Sequence, residues 1–158
     1  MALIDQVRKV IRLGQEKQWY ETYWAFDVHS TILLPNYDLN KKPSNEDFYP
    51  YAKELLQLLT EMDHIKLILW TSSYPHEIED ILRLFKRNDI EFDYVGENPE
   101  ISSDQGNFGY YETKFYFNIL FEDKAGFRPE EELEEIYNEI KRWMEGDLQP
   151  DPTWNRKY

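Results

Sequence analysis

Residues 24–35, WAFDVHSTILLP, constrain this chain more than any other stretch, because an apolar strand pattern changes there within two residues into a polar one. The residues typical of a buried strand are Tyr23, Trp24, Phe26 and Val28. The polar residues are Asp27, His29, Ser30 and Thr31. Ligands of open α/β sheets bind at the carboxyl ends of strands, so Asp27 is a candidate for contact with a metal ion or a phosphoryl group. The alternative is an ordinary turn, since Asp, Ser and Thr are common turn residues.

The length and composition predict one globular domain. The chain has 158 residues, of which 41% are hydrophobic and 16% aromatic, enough to form a single core. We predict that this domain covers residues 1–146 and that residues 147–158, which contain two prolines and no periodic pattern, form a tail. An amino-terminal helix over residues 1–14 is predicted to pack on the domain and to end at Gly14. Its apolar residues recur at helical spacing: Leu3, Ile4, Val7, Val10 and Ile11.

The net charge disfavours some classes of partner, and the lack of cysteine excludes some kinds of site. The net charge is −13, from 18 Lys and Arg against 31 Asp and Glu, which disfavours nucleic acid and anionic membranes as partners. The chain has no cysteine, so disulfides and thiolate metal sites are excluded. Charged residues interrupt the first twelve positions, unlike a signal peptide, and no apolar run is long enough to span a bilayer. We therefore expect a cytoplasmic protein.

The remaining predicted elements alternate between strands and helices. Short apolar runs predict strands over residues 65–70, 90–95 and 115–121. Apolar residues at helical spacing predict helices over residues 51–62, 75–85 and 129–143. The segments 36–49 and 96–111 are predicted loops, and His64 is predicted to be a solvated residue at a helix end. This order predicts an α/β fold with a parallel sheet and helices on both of its faces.

Polar side chains follow three of the predicted strands. Asp27, Thr71 and the pair Glu122 and Asp123 come directly after strand patterns. Because parallel strands end at the same edge of a sheet, we expect these side chains to converge. Carboxylate oxygens are the ligands that Mg²⁺ takes in proteins, usually with several waters, so the sequence predicts a magnesium site at this edge.

Two of the polar or aromatic segments have simpler alternatives. Thr71, Ser72 and Ser73 precede a helix that opens at Pro75, and hydroxyls with free amides at a helix start can bind an anion. An ordinary helix cap explains the same residues. Aromatic residues in the 96–111 loop can stack on a base or a sugar, but aromatic residues beside a strand more often serve as core or edge packing. These residues are Phe108, Tyr110 and Tyr111.

Taken together, the motifs resemble the haloacid dehalogenase (HAD) superfamily of phosphohydrolases. That family carries Asp-x-Asp-x-Thr after its first strand, Ser or Thr after the second, a lysine further on, and an acidic pair after the fourth strand. The matching segments here are FDVHST, LILWTSS and KFYFNILFEDKAGF, all within residues 23–127. The resemblance implies a three-layer Rossmann-like (HAD-like) fold. The segments after the first two motifs are too short for a large cap domain, which implies the small-cap or capless type.

The resemblance also implies a function for each matching residue. The protein would be a Mg²⁺-dependent hydrolase, a phosphatase acting on a small phosphorylated substrate, with Asp27 as the nucleophile that forms an aspartyl phosphate. Thr71 and the Ser72 amide would bind the phosphoryl oxygens. Lys114 would neutralise charge on Asp27 and on the phosphoryl group.

The implied metal ligands are Asp27, the backbone carbonyl of His29, and Glu122 or Asp123. Thr31 matches the threonine of the first motif and would brace its loop without touching the substrate. Glu122 is a mild departure, because the family usually has Asp-Asp at this pair.

His29 is the larger departure from the family pattern, because it replaces the aspartate that acts as general acid and base. Histidine can transfer protons near neutral pH. The alternative is a polar loop residue without this role, in a catalytically silent HAD-like module that binds phosphate or a metal, or serves in interactions.

Overall fold

The computed structural model describes residues 2–18, 21–38, 40–103 and 109–146. The strands are β1 (Thr22–Phe26), β2 (Ile65–Leu69), β3 (Tyr94–Val95) and β4 (Ile119–Phe121). The helices are α1 (Leu3–Glu16), α2 (Ala52–Thr60), α3 (Pro75–Arg87) and α4 (Pro129–Met144). The four strands form one sheet in the order β3-β2-β1-β4, and every pairing is parallel. The predicted α/β class with a Rossmann-like parallel sheet is confirmed.

The sheet order places β1 between β2 and β4. β1 pairs with β2 along its whole length and with β4 over its last three residues, so Phe26 lies beside Leu69 on one side and Phe121 on the other. All five residues of β1 are buried, as expected for a central strand of a parallel sheet. The residue after β1 therefore emerges between the ends of two neighbouring strands.

The two faces of the sheet are covered very differently. Buried residues of all four helices join one large apolar cluster with Trp24, Phe26 and Phe121. The opposite face carries a small cluster built on Tyr23, Ala25 and Ile68. Side chains of the connecting segments and strand ends pack on this second cluster: Tyr94, Ile101, Phe115, Tyr116, Phe117 and Leu120. Within the described residues, irregular chain thus covers much of the second face.

Several predicted boundaries are wrong at the level of single residues. Gly14 lies inside α1, because the helix continues to Glu16. His64 is not a solvated helix end, since its ring is half-buried and packs edge-on against Trp143 with centroids 5.2 Å apart. The predicted strand over 90–95 is paired only at Tyr94–Val95.

The aromatic run 115–121 is also shorter as a strand than predicted. Only Ile119–Phe121 pairs with β1. Before it, the Tyr116 carbonyl accepts a hydrogen bond from the Asn98 side chain at 2.9 Å, and Asn118 N–H donates to the Tyr23 carbonyl at 2.7 Å. These contacts direct residues 115–117 onto the small cluster instead of into the ladder.

The loops over 36–49 and 96–111 are confirmed where the structure describes them, with a single 3₁₀ turn at Asn45–Asp47 in the first. Phe108 and the predicted tail over 147–158 lie outside the described residues. In the described part of the chain, no helix has the length and apolar character needed to cross a membrane.

Candidate metal and phosphate site

Asp27 is held at the centre of the sheet edge by its own backbone. Its N–H donates to the Phe121 carbonyl of β4 at 2.8 Å, and the Trp70 N–H donates to the Phe26 carbonyl at 2.8 Å. Both bonds extend the parallel ladder by one residue beyond the strands. Asp27 therefore lies between the chain that leaves β2 and the chain that leaves β4.

A tight loop follows Asp27 and fixes its orientation. The Val28 carbonyl accepts hydrogen bonds from the next turn, at 2.8 Å from Ile32 N–H and 3.0 Å from Leu33 N–H. Ser30 has a φ of 65°, in the left-handed region that costs a non-glycine residue free energy. This turn brings Thr31 back beneath the sheet edge, where it is fully buried.

Thr31 joins the loop after β1 to the turn after β4. Its hydroxyl donates to Asp123 Oδ1 at 3.4 Å and accepts from the Asp123 N–H at 3.2 Å. A buried hydroxyl that is bonded in both directions fixes the position of its partner. The structure thus places Thr31 where the resemblance implied a bracing role.

Three carboxylates converge at this edge. Asp27, Glu122 and Asp123 each offer an oxygen, and these three oxygens lie within 4.8 Å of one another. Burial, followed by the negative charge of Glu122, raises the pKa of Asp27 from 3.8 to about 7, although the Val28 N–H hydrogen bond opposes the shift. Glu122 also accepts a hydrogen bond from Lys124 N–H at 3.2 Å, which orients its side chain.

This cluster has the properties of a site for a hard divalent cation. Like charges at this separation are unfavourable unless a cation or a proton neutralises them. Among the described residues, no lysine or arginine forms an ion pair with any of the three carboxylates. Oxygen donors with unneutralised charge suit Mg²⁺ and Ca²⁺. The donor set therefore fits a hard divalent cation, the class to which the magnesium ion predicted from the sequence belongs.

Thr71 lies on the β2 side of the same edge. It follows Trp70, whose backbone is bonded to Phe26, and its hydroxyl lies 2.9 Å from the Ser73 hydroxyl and accepts from the Ser73 N–H at 3.1 Å. Ser72 is exposed beside it. The structure brings Thr71 and Ser72 to the sheet edge that carries Asp27, as predicted.

His29 faces a separate cavity. Its Nδ1 lies 3.3 Å from the Leu34 carbonyl, and its ring lines a cavity of about 260 Å³ together with His76 and Asp80. Its ring nitrogens are not part of the group of converging ligand atoms. A metal contact through the His29 carbonyl stays a prediction.

Lys114 is not brought to the carboxylates. It is exposed, its Nζ lies 5.4 Å from the ring centroid of Phe117, and it lines a cavity of about 440 Å³. The physical reason is the short β4: the sequence predicts Lys114 directly before a strand over residues 115–121, but β4 begins only at Ile119. Its predicted contact with Asp27 is not present in this structure.

Trp70 is the residue of this region that sequence reasoning missed. The apolar run predicts Trp70 as the last residue of a buried strand, but β2 ends at Leu69 and Trp70 is 44% exposed. The alternation of side chains along a strand could have identified Trp70. Ile68 faces the small cluster and Leu69 the large one, so the next residue, Trp70, lies on the less covered face of the sheet.

Comparisons with known proteins support the fold alone. No family model matches the chain, and no curated protein matches it. A solved structure described as that of a conserved protein from Bacteroides thetaiotaomicron aligns with a TM-score of 0.57 and 22% sequence identity, over 82% of this chain and 99% of that one. At this identity the similarity extends to the α/β fold and carries no function.

Proposed function

We propose that this protein is a Mg²⁺-dependent phosphohydrolase of the HAD type that acts on a phosphomonoester through Asp27. The observation that carries the proposal is the convergence of Asp27, Glu122 and Asp123 within 4.8 Å at the carboxyl edge of a parallel sheet. This is the edge at which α/β proteins bind their ligands.

The three carboxylates would hold the metal ion. A bound Mg²⁺ supplies positive charge that neutralises the phosphoryl oxygens and keeps Asp27 ionised. Thr31 contributes indirectly, because its hydrogen bonds with Asp123 hold that carboxylate in place.

The proposed reaction has two steps, both carried out by this chain's own residues. An Asp27 oxygen attacks phosphorus, the bond from phosphorus to the ester oxygen breaks, and the leaving alcohol takes a proton. Water then attacks the phosphorus of the aspartyl phosphate, which releases inorganic phosphate and restores Asp27. The Thr71 hydroxyl and the Ser72 amide would donate hydrogen bonds to the phosphoryl oxygens.

The proton donor would be His29. The Leu34 carbonyl can only accept a hydrogen bond, so the contact at 3.3 Å places the proton of the neutral ring on Nδ1. Nε2 is then the ring nitrogen available for proton transfer in the proposed reaction.

A second candidate function is a metal-binding module without turnover. The observation that favours it is the position of Lys114, which is exposed on the neighbouring cavity and makes no ion pair with Asp27. Such a module would still bind a divalent cation at the carboxylates, so the two candidates differ in turnover and agree in metal binding.

A turnover screen separates these candidates. The protein is assayed on a panel of phosphomonoesters with and without Mg²⁺, beside Asp27→Asn and the control Asp63→Asn, which changes an exposed carboxylate outside the site. The phosphohydrolase proposal predicts Mg²⁺-dependent turnover that Asp27→Asn abolishes and Asp63→Asn preserves. Magnesium binding without turnover on any ester would favour the module.

His29 is tested in the same assay. General acid catalysis contributes roughly 10²–10⁴-fold, so His29→Ala should lose about that much on alkyl phosphates and far less on p-nitrophenyl phosphate, whose leaving group needs little protonation. An unchanged His29→Ala beside a more active His29→Asp would exclude the catalytic role of His29.

A further inference from the structure

A cavity of about 440 Å³ lies on the less covered face of the sheet, where Trp70 follows β2. Its wall is formed by the residue after β2, the chain after β3 and the chain before β4. The wall includes Trp70, Glu97, Glu112, Lys114, Phe115 and Phe117. The volume is within the range of pockets that hold small organic ligands.

Through Trp70, the register of the sheet brings one wall of this cavity next to the edge that carries Asp27. Phe26 and Leu69 are paired neighbours, and the hydrogen bond from Trp70 N–H to the Phe26 carbonyl continues the ladder. Ala25 and Ile68 both face the small cluster, so alternation returns Asp27 and Trp70 to that same face at adjacent positions. A ligand bound by Asp27 therefore has Trp70 as its neighbour.

Trp70 is presented as a stacking surface. Its ring contacts Phe115 edge-on with centroids 5.4 Å apart, and 44% of the residue remains exposed on the cavity. An indole ring that is supported on one side and open on the other can stack on a planar ring. Trp70 thus both lines the cavity and adjoins the sheet edge that carries Asp27.

The other wall residues carry groups that recognise a polar ring. The Lys114 ammonium is 5.4 Å from the Phe117 ring centroid, and the carboxylates of Glu97 and Glu112 are exposed on the same wall. The cavity thus offers both hydrogen-bond donors and acceptors around an aromatic surface. A heterocycle with ring nitrogens and exocyclic groups uses both, whereas a plain hydrocarbon ring uses neither.

We propose, resting on the proposed function, that this cavity binds the planar heterocyclic part of a phosphate monoester, with the heterocycle stacked on Trp70 and the phosphoryl group at Asp27. Nucleoside 5′-monophosphates are the class of substrate with this chemistry. Lys114, which the carboxylate site does not use, is then a residue for substrate recognition.

The test compares two substrates that differ only in the heterocycle, adenosine 5′-monophosphate and ribose 5-phosphate. The variants are Trp70→Ala, Trp70→Phe and the control Tyr74→Ala, which removes an exposed aromatic side chain that does not line the cavity. Trp70→Ala should lower kcat/KM for the nucleotide by about 10-fold or more, since base stacking is worth that factor, and leave ribose 5-phosphate within about twofold. Trp70→Phe should retain most of the nucleotide activity, and Tyr74→Ala should match the parent on both.

Binding of adenosine, measured by saturation-transfer NMR, distinguishes the failure of this inference from the failure of the proposed function. Adenosine binding that Trp70→Ala abolishes would support the cavity even if no ester is turned over, a result that would contradict the hydrolase. Turnover of both substrates with equal efficiency in the parent and in Trp70→Ala, or adenosine binding that does not depend on Trp70, would overturn the inference and leave the hydrolase standing.

Discussion

The two faces of the sheet divide the molecule into a region that stabilises the fold and a region that carries the candidate site. On the helix-covered face, Phe121 is fully buried and stacks on Phe26 with centroids 4.0 Å apart. On the opposite face, Phe117 is half-buried and lies at the wall of an open cavity. Both phenylalanines belong to one short aromatic run, so residue type alone does not separate them.

The less covered face is therefore the one that a ligand can reach. Alternation places Asp27, Trp70 and Glu122 on the side of the small cluster, where helices do not exclude a ligand. The apolar contacts that hold β1, β2 and β4 in register lie on the other side. Changes at the candidate site should therefore affect ligand binding much more than folding.

The largest expected effect on stability tests this division directly. Phe121→Ala should lower the free energy of unfolding by about 3–5 kcal/mol, because it leaves a cavity among stacked rings. Phe117→Ala, on the other face, should cost about 1–2 kcal/mol because solvent already reaches its ring. Urea denaturation of both variants measures the comparison. Equal costs would mean that the two faces do not differ in this way.

The next effect concerns metal binding at the less covered face. Mg²⁺ that binds only the folded protein should stabilise it by roughly 2–3 kcal/mol at a hundredfold excess over the dissociation constant. Thermal melting with and without Mg²⁺ should show a shift in Tm that Asp123→Asn removes and Asp63→Asn retains. If Asp123→Asn showed the full shift, the carboxylate cluster would not be the binding site.

A smaller effect follows from the raised pKa of Asp27. Below about pH 4 the carboxyl is protonated in both states, while between about 4 and about 7 the folded protein still binds the proton that the unfolded chain has released. Stability in EDTA should therefore fall as pH rises through this window. Asp27→Asn, which cannot ionise, should gain about 1 kcal/mol over the parent at pH 8, because solvent screening of this half-buried group reduces the effect. Unfolding curves at pH 5 and pH 8 check the sign, and a parent that became more stable with rising pH would contradict it.

The smallest expected change in stability concerns Gly14, in a helix of the helix-covered face. Gly14 lies within α1, and a methyl group added there would meet the Thr22 side chain at an ordinary contact distance of 3.7 Å. Gly14→Ala should therefore raise the free energy of unfolding by about 0.5–1 kcal/mol, since alanine favours the helix and loses less entropy on folding. No gain in a melting experiment would indicate that the helix is strained at this position.

The sequence allowed the central strands and the carboxylate edge to be predicted because local patterns determine both. β1 and β2 are continuous apolar runs that end in polar residues, and parallel pairing then brings the ends together. The convergence of Asp27 with Glu122 and Asp123 follows from these two facts alone. Local apolar periodicity likewise predicted all four helices to within a few residues.

The positions of His64 and Lys114 could not be predicted because distant contacts determine them. His64 packs on Trp143 of α4, a contact that no local pattern contains. Lys114 depends on where β4 begins, and this is set by the hydrogen bonds of Tyr116 with Asn98 and of Asn118 with Tyr23. An aromatic run reads as a strand whether it pairs in the sheet or packs on its surface.

Detection of a phosphoryl group on Asp27 would test the covalent mechanism without relying on rates. The protein is mixed with Mg²⁺ and a phosphomonoester that the turnover screen identifies, quenched in acid, and analysed by mass spectrometry before and after proteolysis. The covalent mechanism predicts that the protein gains the mass of one phosphoryl group, that the group lies on the peptide containing Asp27, and that Asp27→Asn and EDTA both abolish it. Turnover that proceeds with a phosphoryl group on another residue, or that persists in Asp27→Asn, would contradict it.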